Sequence, residues 1–132
     1  MVTDREYPLK FRSIYFQLRA KDLERAKKFY EDVFNLEVTW YMSPEAGWCE
    51  LRLPGTESRI GLNALGEGEV ADPNWGKLTM EVEDLEGAKE YLAGKGVETT
   101  EIVDVPGMVS YFGLVDSEGN QLQIVSDPRV EG

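Results

Sequence analysis

Two short segments, Tyr15-Phe16-Gln17-Leu18-Arg19 and Lys77-Leu78-Thr79-Met80-Glu81, place polar or ionisable side chains at every second position. In a strand, Tyr15, Gln17 and Arg19 share one face, as do Lys77, Thr79 and Glu81, and the apolar residues take the other. Such a set can hydrogen-bond a polar ligand, with Lys77 or Arg19 holding an anionic group. It can also move protons, with Glu81 or Tyr15 as base and Lys77 as electrophile, if burial shifts them toward neutral pH. The competing reading is structural: a half-buried Lys77 needs a carboxylate partner, and Glu81 would serve. The sequence contains no histidine and a single cysteine, Cys49. That removes the commonest metal ligand and proton shuttle, excludes Ser–His and Cys–His nucleophiles, and leaves no disulfide framework or thiolate metal cluster. Cys49 is expected to be a small buried apolar residue.

Aromatic residues form a second candidate cluster. Trp40, Tyr41 and Trp48 flank one turn, and Trp75 lies further on. They suit core packing or a dimer interface, or a stacking groove for a planar ligand. Met108 and Phe112 are expected in the core, as apolar strand residues usually are.

The elements that must position these residues come from an internal repeat. Asp22-Leu-Glu-Arg-Ala-Lys-Lys-Phe-Tyr30 and Asp84-Leu-Glu-Gly-Ala-Lys-Glu-Tyr-Leu92 agree at five of nine positions, 62 residues apart. Repetition at this length means two copies of one supersecondary unit. A strand over 12–20 leads to Asp22 as helix cap, and Leu23, Ala26, Tyr30 and Val33 give the helix its apolar face. Asn35 ends it, and strands follow at Glu37–Tyr41, Trp48–Leu53 and Arg59–Ala64. Residues 65–75 read as a linker. The order then recurs: strand Lys77–Val82, a helix from Asp84 to about Gly94, and strands Thr99–Val103, Met108–Val115 and Gln121–Val125. Asp116-Ser-Glu-Gly-Asn120 supplies a hairpin turn.

The expected fold is therefore α+β and a single domain over 1–132. Module one spans about 10–64 and module two about 76–126. Each is β-α-β-β-β, and together they form a curved mixed sheet around a cavity with the helices outside. Phe16, Leu18, Leu78, Met80 and Val82 should lie under the helices. Tyr15, Gln17, Arg19, Lys77, Thr79 and Glu81 should face the concave side.

Composition narrows the partners. The chain carries 25 acidic and 14 basic residues, a net charge of −11. This argues against nucleic acid, whose phosphates would be repelled, and suits cationic ligands as well as simple solubility. No apolar run approaches the roughly 18 residues of a membrane span, and the first residues lack the pattern of a signal peptide. A cytoplasmic protein without a membrane partner is expected.

The stretch Leu18-Arg-Ala-Lys-Asp-Leu-Glu-Arg-Ala-Lys-Lys-Phe-Tyr-Glu-Asp-Val-Phe-Asn-Leu-Glu-Val38 resembles the glyoxalase / bleomycin-resistance / extradiol-dioxygenase superfamily. These are also called vicinal oxygen chelate proteins. Asp116-Ser-Glu-Gly-Asn-Gln-Leu-Gln-Ile124 is similar to that family's C-terminal ending. The resemblance covers roughly residues 12–126. It implies that metal-dependent relatives would draw ligands from the positions occupied here by Tyr15, Gly61, Lys77 and Gln123. Lysine lacks a lone pair at neutral pH, glycine has no side chain, and neutral Tyr and Gln are poor ligands alone. The implied expectation is a metal-lacking branch with no metal and no cofactor. Metal-free bleomycin-resistance relatives bind a cationic drug in acidic, aromatic-lined clefts between two subunits.

The resulting expectation is a metal-independent small-molecule binding protein sequestering a cationic aromatic compound. Its ligand-binding candidates are Tyr15, Gln17, Arg19, Trp40, Trp48, Lys77, Glu81 and Gln123. The alternative is a lyase, isomerase or dioxygenase. It would use Glu/Tyr/Lys acid–base chemistry or a displaced metal site drawn from Gln17, Glu50, Glu81 and Gln123. Open sheet edges and the habit of relatives imply a homodimer.

Overall fold

A computed structural model describes residues 15–66, 68 and 77–132. Asp22 and Asp84, the first residues of the repeated segments, cap their helices in the same way. Each is extended, and each carboxylate accepts from a main-chain N–H three residues on: Arg25 at 3.1 Å and Gly87 at 3.0 Å. Glu24 and Glu86 then complement the helix dipole in the first turn. The helices are α1 (Leu23–Phe34) and α2 (Leu85–Gly94). Asn35 ends α1 in the left-handed region at φ 60°, a conformation asparagine tolerates better than most residues.

Module one contributes strands β1 (Tyr15–Ala20), β2 (Glu37–Tyr41), β3 (Trp48–Arg52) and β4 (Arg59–Ala64). A short 3-10 turn, Pro44–Ala46, separates β2 from β3. Module two contributes β5 (Leu78–Glu81), β6 (Val103–Val105), β7 (Val109–Val115) and β8 (Gln121–Ser126). They form two four-stranded mixed sheets, ordered β1-β4-β3-β2 and β5-β8-β7-β6. The repeat extends to register: Gln17 pairs with Gly61 in one module, and Thr79 with Gln123 in the other, each shifted by 62. In each sheet the edge strand that precedes the helix pairs in parallel with the last strand.

Alternation places the core as expected. Leu18, Ala20, Cys49, Leu51, Ile60 and Leu62 are buried against Leu23, Ala26, Tyr30 and Val33 of α1. Leu85, Leu92, Phe112, Leu114, Leu122 and Ile124 are the counterparts in module two. Each fully buried Leu or Ile contributes roughly 1.5–3 kcal/mol by leaving water. Phe16, Leu78, Met80 and Val82 pack against this core while half-buried.

Two local expectations differ from the structure. The strand expected over Thr99–Val103 is instead Val103–Val105. Thr100 still runs beside β7, donating its N–H to Gly113 O at 2.9 Å, but Gly113 N–H returns to the Thr100 hydroxyl at 2.8 Å. A side chain thus takes the acceptor place of a ladder carbonyl, and regular pairing starts only at Val103. Met108, expected in the core, is 73% exposed, because the Pro106–Gly107 turn (Gly107 φ 72°) holds it before the alternation of β7 begins. Phe112 is fully buried as expected. No helix among the described residues is long and apolar enough to cross a membrane.

The modules are joined by polar side chains. Tyr30 and Asp116 meet in the interior, the hydroxyl donating to the carboxylate at 2.7 Å. The same carboxylate accepts from the Glu118 and Asn120 N–H groups and from the Asn120 side-chain amide, which also donates to Arg19 O at 2.8 Å. Glu118 accepts from Arg25 Nε at 2.7 Å and from the Asp22 N–H at 2.9 Å. Burial alone would raise the Glu118 carboxyl, but the bonds from Arg25, Asp22 and Ser117 outweigh it and hold it below its ordinary value. The segment 116–120 is therefore more than a hairpin turn: it clamps module two onto β1 and α1.

Candidate functional site

On β1 the side chains of Tyr15, Gln17 and Arg19 turn away from the buried Leu18 and Ala20. Register brings Arg59, Gly61 and Asn63 of β4 beside them, and Trp48 and Glu50 of β3 beyond. These side chains interlock. Asn63 Nδ2 donates to Gln17 Oε1 at 2.6 Å. The Arg59 guanidinium lies 4.9 Å from the Tyr15 ring centre and bonds Glu50 at 3.1 Å. Glu50 also accepts from the Thr39 hydroxyl at 2.9 Å. Its Oε1 atom thus serves both a cation and a hydroxyl.

The decisive contact lies between Trp48 and Gly61. A methylene carbon placed on Gly61 would fall 2.3 Å from Trp48 Cη2 and 2.7 Å from Cζ3. The six-membered ring of the indole therefore occupies the space that any side chain at position 61 would need. The same ring meets Tyr15 edge-on, centroids 6.2 Å apart and planes at 64°, a favoured aromatic geometry. Trp40 stands on the same side of the sheet, 43% exposed.

Module two presents Thr79 and Glu81 on β5 and Lys77 just before it, with Gln123 paired to Thr79 on β8 and Gln121 sharing a cavity with Lys77. Lys77, Thr79 and Glu81 are exposed and Gln123 is half-buried. Among the described residues no ion pair joins Lys77 to Glu81, so the internal salt bridge considered for them is not formed. They also line different cavities. Glu81 lines one of about 530 Å³ between the modules, together with Tyr15 and Arg59. Lys77 lines one of about 390 Å³ within module two, together with Gln121 and Thr99. The structure thus brings Tyr15, Trp48 and Gln17 into one surface and Tyr15 and Glu81 into one cavity. It keeps Lys77 apart from them, while Gln123 pairs with Thr79 at the edge of module two. Trp75 lies outside the described residues.

Sequence reasoning did not single out Arg59, Asn63 or the hairpin residues Thr56 and Ser58 that edge the larger cavity. The signal for Arg59 and Asn63 is positional: two residues before and after Gly61 must share its face. Cys49 is buried as expected, and desolvation pushes its thiol up to about 11, which makes it unreactive near neutral pH.

The family model described as the Glyoxalase/Bleomycin resistance protein/Dioxygenase superfamily matches residues 12–124. The Bacillus subtilis (strain 168) protein YetH is 26% identical over 106 residues, 76% of this chain and 86% of that protein. Among solved structures, lactoylglutathione lyase from Agrobacterium tumefaciens superposes with a TM-score of 0.68 at 20% identity, covering 89% of this chain and 96% of that one. The fosfomycin resistance protein FosX from Listeria monocytogenes, complexed with Mn(II) and sulfate, gives 0.70 at 14% identity, with 92% and 94% covered. Identities this low speak for the fold alone.

Proposed function

This chain belongs to the glyoxalase/bleomycin resistance protein/dioxygenase superfamily, and we propose that within it the protein is a metal-independent binder of small organic molecules. One observation carries the reading: the Trp48 ring fills the space over Gly61, where metal-dependent relatives are expected to place a ligand side chain. The three other positions hold Tyr15, Lys77 and Gln123, which supply no carboxylate, imidazole or thiolate. These residues do not fit a divalent cation. What stands in place of oxygen donors is an aromatic surface, Tyr15 against Trp48 with Trp40 nearby.

A planar ligand would stack there, and a positive charge on it would gain about 0.5–2 kcal/mol from the ring faces. The net charge of −11 favours such a cation at long range. Gln17, Asn63 and Arg19 would supply hydrogen bonds at the margin. Lys77, Glu81 and Gln123 belong to the other module's half of the concave surface. We assign a homodimer on the same grounds: each module presents a half-open sheet face that a second copy would cover. Sedimentation or light scattering giving a monomer would sink that part.

The test is a thermal-shift screen on chelator-treated protein, with planar aromatic cations in one arm and Zn²⁺, Ni²⁺, Mn²⁺ and Fe²⁺ in the other. Binding predicts a rise with organic cations that Trp48→Ala abolishes, and no rise at stoichiometric metal. A rise with metal alone would overturn the reading.

A further inference from the structure

The repeat relates the two cavities as well as the two modules. Tyr15, Leu36, Leu53, Arg59 and Ile60 line the larger one, and 62 positions on, Lys77, Glu98, Val115, Gln121 and Leu122 line the smaller. Each is the notch beneath the hairpin joining the last two strands of its module. Their surroundings differ. The module-two hairpin is drawn against module one by Asp116, Glu118 and Asn120, which find Tyr30, Arg25 and the Arg19 carbonyl. The counterparts of these three in module one are Pro54, Thr56 and Ser58, which carry no carboxylate. The counterparts of Arg25 and Tyr30 are Gly87 and Leu92, which offer no side-chain donor. Thr56 turns its hydroxyl back into its own hairpin, donating to Leu53 O at 3.0 Å and accepting from the Ser58 N–H at 3.0 Å. Pro54, Thr56 and Ser58 are all exposed. The clamp that closes one seam thus has no equivalent at the other.

The open notch is completed by β5, whose Leu78–Glu81 form its far wall. Its volume of about 530 Å³ lies in the range of organic-ligand sites. Phe16, Leu36, Ile60, Leu78 and Met80 make the interior apolar, and among the described residues the charged groups of its lining are Arg59 and Glu81. Arg59 is engaged by Glu50 at 3.1 Å. Among the described residues no ion pair engages Glu81. Among the described residues the uncompensated charge of the lining is therefore negative.

We infer that this seam cavity binds a small amphipathic amine, its apolar body among Phe16, Leu36, Ile60, Leu78 and Met80 and its ammonium group at the Glu81 carboxylate. The site meets the Trp48 surface through Tyr15 and Arg59, but its ammonium contact at Glu81 does not depend on what that surface binds. The clamp at the other seam holds the modules in register, so the cavity persists without a ligand and binding needs little rearrangement.

The experiment compares 4-phenylbutylamine with 4-phenylbutyrate, which share one apolar body and carry opposite charges, by calorimetric titration of the whole chain. The amine is expected to bind about tenfold more tightly than the carboxylate. Glu81→Gln should erase that preference. Ser58→Trp, at the exposed mouth, and Met80→Phe, in the wall, should each weaken the amine about fivefold or more. Circular dichroism would confirm that the variants fold. Trp48→Ala should leave the preference for the amine in place, because Glu81 and the apolar wall remain, which separates this site from the stacking surface. Equal or reversed preference between the two compounds overturns the inference, as does a preference that survives Glu81→Gln. Loss of binding in Trp48→Ala with none in Ser58→Trp would place the amine on the concave face and overturn it too.

Discussion

Tyr30→Phe isolates one hydrogen bond in the clamp between the modules. The ring is fully buried and stays in place, so no cavity opens and the change removes a donor alone. Its hydroxyl sits 2.7 Å from Asp116 Oδ2, a carboxylate that is 6% exposed. A hydrogen bond to a buried charged group is worth about 1.5–3 kcal/mol, more than a neutral one. Asp116 keeps three other donors, two main-chain N–H groups and the Asn120 amide, which argues for the lower half of that range. A loss of about 2 kcal/mol corresponds to roughly 7 °C in Tm for a domain of this size, or about 1 M in urea midpoint. Burial first, and the neighbouring Asp116 second, push the Tyr30 hydroxyl well above its ordinary value. A raised folded value means the contribution is complete below the unfolded tyrosine range near 10 and declines as pH climbs above it. The stability gap between wild type and Tyr30→Phe should accordingly be flat from neutrality to about pH 9 and narrow beyond about pH 10. Urea melts followed by circular dichroism, repeated across that range, measure both features. On an Asp116→Asn background the same substitution should cost far less, because the charge it served is gone. A loss under about 0.5 kcal/mol at neutral pH, or an equal loss on both backgrounds, would refute the assignment of the clamp.

Other outcomes follow from the same contacts. Gly61→Ala should displace the Trp48 ring, lowering stability by about 1–2 kcal/mol and shifting tryptophan emission. Neither effect should appear on a Trp48→Ala background. Asp104 is held at about 2, chiefly by the Arg129 guanidinium and then by the Ser110 hydroxyl. Its lowered value contributes stability above about pH 4 that is lost as pH falls toward 2, and Arg129→Ala should raise it, as a carboxyl NMR titration would read directly. Native Cys49 should resist thiol reagents at pH 8 and react only when urea exposes it, consistent with a thiol pushed up to about 11.

Much of the fold was legible because two independent signals agree. The repeated Asp-Leu-Glu-x-Ala-Lys segments fix where each helix starts, and alternation around Leu18, Leu51 and Leu62 fixes which face is buried. The exceptions lie where a side chain replaces a main-chain partner, as Thr100 does for β7, or where a glycine turn delays alternation, as before Met108. The site was legible only by position. The repeat and the resemblance find Gly61, but no pattern in the sequence says that Trp48, thirteen residues earlier, covers it, since that depends on how β3 lies against β4. The clamp was hidden for a related reason. Asp116, Glu118 and Asn120 read as turn residues because turns favour them, while their partners lie at least 86 residues away in sequence. Lys77 and Glu81, two places apart along one strand face, look like partners; the structure leaves Lys77 just before β5 and Glu81 at its end, lining separate cavities.

On the proposed function, the Trp48 indole stands where relatives would place a metal ligand. Titration of chelator-treated protein with Mn²⁺ and Zn²⁺, followed through tryptophan emission and by the metal retained after dialysis, tests it most directly. The predicted result is no stoichiometric metal and no change in emission. One tightly retained ion per chain, with an emission change that Trp48→Phe removes, would contradict it.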